Sequence, residues 1–192
     1  MAQSNYNNYQ GSSWIPYNLV EFLIENENIW KLLKYSTADA LEKPNLTRQE
    51  KVDMIWSGED NQDDFNVFLI PMVENIQPKQ TTLMRIAVYK VLPNSPFYGD
   101  ILIGIHLLTQ TKLGVIKDRR ARLDVLFDEI MSTLIGKNVG GLGTIYFNRG
   151  TGGSSECAQL NTSGNKKDYM EKMIILGIHY GNLGSTANGC GY

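Results

Sequence analysis

A chain of 192 residues, 42% hydrophobic and 20% charged, carries enough apolar material for one core of ordinary domain size and lies far from the composition of a disordered segment. Its formal net charge of -2 excludes a global field that would draw it onto nucleic acid or an anionic membrane. No apolar run reaches the roughly 18 to 20 residues that span a bilayer, and Met1-Ala-Gln-Ser-Asn5 has neither the basic nor the apolar part of a leader, so synthesis and use in a cytoplasm, with no membrane partner, are expected.

Residues 1–13 are Asn, Gln, Ser, Tyr and Gly without periodicity and read as a flexible arm. Two readings stay open for it: a frayed end, or an arm anchored by Tyr6, Tyr9 and Trp14 that orders on a neighbour. Residues 14–192 read as one α+β domain, with N-terminal helices over 18–58, a sheet-and-helix core over 65–180 and a Gly-rich tail over 181–192. From Asn18 to Tyr35, Leu19, Leu23, Ile29, Leu32 and Leu33 recur at helical spacing and predict one amphipathic helix. Thr47 with Glu50 three residues on is the capping-box pattern of a second, short helix that Gly58 closes. Phe65 to Ile76 reads as extended, with Pro71 at its end or at a bulge.

Met84, Ile86 and Val88 alternate with Arg85, Ala87 and Tyr89, the two-residue period of a strand over 83–92. The Pro93 to Asp100 segment is a loop. The strand beyond it, 101–108, is apolar on both sides and is expected to be central and covered on both faces. The strongest helical pattern runs from Arg119 to Ile135, with Asp118 as N-cap, a stripe of Leu123, Leu126, Phe127, Ile130 and Leu134, and Gly136 as stop. A short strand over 143–148, a long polar loop over 149–167 and a last strand over 170–180 complete the reading: a mainly antiparallel sheet packed by one central amphipathic helix, with extra N-terminal helices.

Catalytic signals are sparse. His106 and His179 each close a Gly-Ile-His trio inside a strand, and pairing of the two strands would bring them within reach of one another, the geometry of a small metal-dependent hydrolase. No carboxylate accompanies either at ligand spacing, so a hydrogen-bonded sheet or interface role is preferred, with no catalytic, cofactor or metal residue assigned. Gly140-Gly141-Leu142-Gly143 follows a helix and precedes a strand, the reverse of a phosphate-binding loop, and Gly150 to Ser155 opens no helix. Cys157 and Cys190 lack metal-site spacing; free thiols are preferred for them, with a disulfide between the two as the alternative. Arg119, Arg120 and Arg122 cluster at a helix start. Inter-subunit ion pairs are preferred for them, with a DNA-binding module as the alternative. Phe97, Tyr98, Arg149, Lys166, Lys167 and Tyr192, in the loops and the tail, complete the interface candidates.

The element order is carried above all by Arg122-Leu-Asp-Val-Leu-Phe-Asp-Glu-Ile-Met-Ser-Thr-Leu-Ile135 followed by Gly140-Gly-Leu-Gly-Thr-Ile-Tyr-Phe147. It resembles that of the tail-terminator and tail-completion proteins of long-tailed bacteriophages. Ile29-Trp-Lys-Leu-Leu-Lys-Tyr35, Asp39-Ala-Leu41 and Pro44-Asn-Leu-Thr47 are similar to segments of phage neck and tail morphogenesis proteins. The resemblance implies a non-enzymatic virion protein, made in the bacterial host cytoplasm and placed at the head-to-tail junction as a cyclic homo-oligomer of six or twelve copies. Neighbouring neck, portal-side and tail proteins would be its partners, genomic DNA a passing contact, and no cofactor is implied. The N-terminal portion exceeds what compact terminators need, which leaves a different neck or connector ring, including that of a short-tailed phage, as an alternative.

Overall fold

The computed structural model describes residues 12–58, 62–70, 81–93, 98–139, 143–147, 158–161 and 169–181. Residues 1–11, and with them nearly all of the predicted arm, lie outside these, as do Pro71, Phe97, Arg149, Cys157, Lys166, Lys167, Cys190, Tyr192 and most of the Gly-rich stretches.

The predicted helix over 18–35 is two helices, α1 (Ile15–Ile24) and α2 (Glu27–Lys34). Asn26 divides them: its backbone is extended, and its side chain accepts the Asn28 N–H at 3.1 Å, the capping geometry that starts a new helix. The carbonyls left at the end of α1 are filled from elsewhere. Trp30 Nε1 donates to Leu23 O at 2.8 Å, and the buried Lys51 ammonium donates to Ile24 O at 2.8 Å while pairing with Glu27. Lys51 belongs to α3 (Arg48–Val52), where the predicted capping box is present in full between Thr47 and Glu50. That helix ends at Asp53, well before Gly58.

Among the described residues six strands follow: β1 (Val67–Phe68), β2 (Thr82–Pro93), β3 (Tyr98–Gln110), β4 (Ile145–Phe147), β5 (Ala158–Asn161) and β6 (Tyr169–Gly181). They form one sheet in the order β1-β2-β3-β6-β4, with β5 also on β6. Among the described strands the β1–β2 pair is parallel and the other pairs are antiparallel. The extended segment predicted over 65–76 is therefore two residues of strand among those described, and the predicted loop over 149–167 contains β5.

β3 and β6 pair along thirteen residues each, which makes β3 the centre of the sheet, as its apolar sequence indicates. One face of the sheet carries Met84, Ile86, Ile103, Ile105, Ile174, Leu176 and Ile178, all fully buried under α1, α2 and α4 (Arg122–Leu134). Each such side chain contributes about 1.5–3 kcal/mol by leaving water.

The start of α4 differs from the sequence expectation. Asp118 does not cap it; its carboxylate accepts the Arg120 N–H at 3.1 Å and pairs with the Arg120 guanidinium, Arg119 takes a left-handed φ of 69°, and Ala121 is the N-cap. The reason is Arg122, which the fold draws inside. Its guanidinium is fully buried and donates to the carbonyl of Leu113, in the turn after β3, and to those of Leu32, Tyr35 and Thr37 at and just beyond the end of α2. At the other end Gly136, at φ 81°, stops α4 where the sequence places the stop.

Candidate functional interface

Among the described residues no helix lies on the second face of the sheet, and the expectation that β3 is covered on both faces holds toward its ends, where Leu102, Leu108 and Gln110 are buried, and fails at Gly104 and His106, which are partly exposed. At one end Phe68, Leu83, Leu108 and Tyr169 form a separate small core, with Trp56, Phe65 and Ile70 packed against it. At the other end the ring of Tyr146 lies across β6. Gly177 permits this, since a Cβ there would come within 2.3 Å of the Tyr146 ring.

Tyr146 anchors a polar cluster. Its hydroxyl donates to Asp100 at 3.1 Å, its ring stacks on His179 with centroids 4.0 Å apart, and His179 Nδ1 meets the same carboxylate. Burial, with the Asp100 charge adding to it, pushes the Tyr146 phenol up to about 12. Strand β4 approaches β6 here through Gly143, whose φ of 141° and contact with the His179 carbonyl leave no room for a side chain.

Between the two ends a pocket of about 350 Å³ opens over the middle of β2, β3 and β6. Its floor is Gly104, and its walls include Ala87, Tyr89, Met173 and Arg85. A β-bulge between Val88 and Lys90 leaves Tyr89 without a partner on β3 and 59% exposed. Arg85 is partly buried, which holds its guanidinium below its ordinary value against the opposing charge of Glu171. It makes no hydrogen bond or ion pair with another described residue, whereas Glu171 stands 3.6 Å from His106 Nε2. An apolar hollow beside a cation without a bonded partner suits an apolar group carried next to a carboxylate.

The two histidines share this face but do not meet. His106 lies opposite Met173 and His179 opposite Asp100, a separation of six residues along β3, or roughly 20 Å at strand rise. The joint metal or base site considered from sequence is thereby removed. Among the described residues no group of three His, Cys, Asp or Glu side chains is placed to hold a metal ion, and no helix is long and apolar enough to cross a membrane.

The arginine cluster is also divided. Arg122 is interior and reaches neither a partner subunit nor DNA, a correction whose cause is its four carbonyl acceptors. Arg119 and Arg120 are exposed, with Arg120 paired to Asp118. Tyr98 opens β3 opposite Gly181. Sequence reading missed the pocket, although its small residues Ala87 and Gly104 and its lone Arg85 all sit at non-core positions of the strand alternation, where a covered face would carry bulk.

Residues 26–174, from the Asn26 corner to the middle of β6, match the model of a phage-derived protein family. The family is YomW, and the chain belongs to it. A search of curated proteins finds no match.

Proposed function

We propose that this protein is a structural component of a phage virion that acts by binding copies of itself, closing into a ring at the head-to-tail junction that terminates the tail or fits it to the neck and connector. The observation that carries the reading is the middle of the sheet's second face, where, among the described residues, an apolar pocket stays open beside a half-buried arginine while packed aromatic side chains close the two ends. Exposed apolar hollows on such faces are where partner surfaces seat. Membership of a phage-derived family is consistent with this setting.

Ring formation needs no cofactor and makes the function geometric, with neck, portal-side and tail proteins stacked above and below. The same surfaces would serve a connector ring of a short-tailed phage. The DNA-binding alternative is weakened, because one of its three arginines is interior and a second is neutralised by Asp118.

Light scattering over a concentration series, with negative-stain images of the same sample, tests the proposal. Closed rings of one multiplicity, six or twelve, are the expected result. A chain that stays monomeric at every concentration and binds DNA with a steep salt dependence overturns it.

A further inference from the structure

Two surface features lie on opposite sides of the sheet. On the helix side α1 packs on β2 and turns a stripe outward from its N-cap to its C-cap: Trp14, Tyr17, Glu21 and Glu25, at spacings of three and four residues. Trp14 is 63% exposed and Tyr17 49%, and the two rings meet edge to face at 6.1 Å, a raised aromatic pair facing solvent. The carboxylates beyond it differ. Glu21 is engaged by Arg48 at 2.6 Å, while Glu25 stands 3.9 Å from that arginine with its side chain 80% exposed. On the far side of the sheet lies the pocket floored by Gly104, apolar in most of its wall and bordered by Arg85, which has no bonded partner among the described residues.

We infer that the pocket of one copy receives one ring of the Trp14–Tyr17 pair of the next copy, the other ring covering its edge, with a carboxylate of the same stripe set against Arg85. The inference rests on the self-association proposed above and names the surfaces that carry it. An aromatic pair supplies the large apolar area that dominates interface energetics, and the pocket is of a size to take one such ring rather than a whole helix. The carboxylate of Glu25, mostly exposed, is opposite in sign to Arg85 on the rim of the pocket. Because knob and hole occupy opposite sides of the sheet, the contact is heterologous: each copy gives one and receives one, so subunits add head to tail and close into a ring when the rotation between them permits. The knob precedes the family-matched residues, which begin at Asn26, whereas the pocket lies within them.

The test uses the full chain in two complementary variants, with mass followed by light scattering and fold by circular dichroism. The first variant, Trp14→Ser with Tyr17→Ser, removes the knob at exposed positions. The second, Gly104→Leu, fills the hole; its Cβ meets Met173 Cε at 3.4 Å, an ordinary contact, and Ala87→Phe serves as an independent filler from the neighbouring strand. Each variant alone is expected to fall to the 21.6 kDa monomer, and their mixture to yield one-to-one pairs and nothing larger, since one productive knob and one productive hole remain. Arg85→Glu is expected to move half-assembly to a concentration at least ~10-fold higher. Wild-type mass retained by the knob variant and by both fillers overturns the inference and leaves ring formation standing. A mixture that stays monomeric overturns the match between these two surfaces, and a monomeric wild type overturns both readings together.

Discussion

The two faces of one sheet are built from neighbouring residues of the same strands, yet they are put to different uses. Ile103 and Ile105 are buried on the helix-covered face, while between them Gly104 stays partly exposed as the floor of the pocket on the opposite face. On the covered side the central positions hold apolar bulk, from Met84 and Ile86 through Ile103 and Ile105 to Ile174 and Leu176. On the open side small residues, a bulge and a charge alternate, and the closed ends show that aromatic cover was within reach of this chain. The contrast therefore comes from single positions, Ala87 and Gly104 above all, and substitutions on either face can test it.

The largest effect is expected where the covered side is held together. Arg122→Met strips donors from four carbonyls and should lower unfolding free energy by on the order of 4 kcal/mol in urea titrations. Leu176→Ala on the same side should cost about 2–5 kcal/mol, as a cavity opens in a packed layer. A loss under ~1 kcal/mol would mean that the helices pack loosely on the sheet.

At the closed end of the other face, Gly177→Ala forces the Tyr146 ring aside and should cost about 1–3 kcal/mol. It also has a spectroscopic signature. In the wild type the phenol titrates at about 12 in place of its usual 10.0, so the neutral form is the one the fold favours. Its contribution to stability is complete below about 10 and is lost as pH rises through about 12. Ultraviolet titration should show the tyrosinate transition moving down toward 10 in the glycine variant, and Tyr146→Phe should remove the alkaline loss of stability from that window. The smallest effect belongs to the open centre: Tyr89→Ala should change stability by less than ~0.5 kcal/mol, because that side chain is mostly in water. A clear destabilisation there would mean that the open face already carries packing the fold depends on.

Much of this architecture was legible from residue order. Periods of two located β2, β3 and β6, the Thr47–Glu50 spacing marked α3, and Gly136 marked the end of α4, because each rests on interactions between residues close in sequence. Asn26 was not legible as a break, since polar residues inside an amphipathic pattern also occur on a solvated helix face; what decides it is capping together with Lys51 and Trp30 closing the corner. Arg122 was misread for a similar reason. A basic run looks like surface until the carbonyls that need it are known, and those are supplied by residues far away in the chain. The pocket escaped because small residues are silent in hydropathy: Gly104 and Ala87 report an open face only when the strand register is known.

The Arg122 guanidinium also ties together moments of synthesis. Its bond to Leu32 spans 90 residues, and those to Tyr35 and Thr37 span 87 and 85. The α1–α2 corner therefore leaves the ribosome with the last carbonyls of α2 still bonded to water, and they stay so until the chain has laid down three strands and begun α4. At an elongation rate of about 5–20 residues per second that interval lasts several seconds. During it the apolar side of the two helices has no finished sheet to cover it, so the nascent protein passes through a period in which a chaperone, or the wrong neighbour, can bind where β2 and β3 later belong.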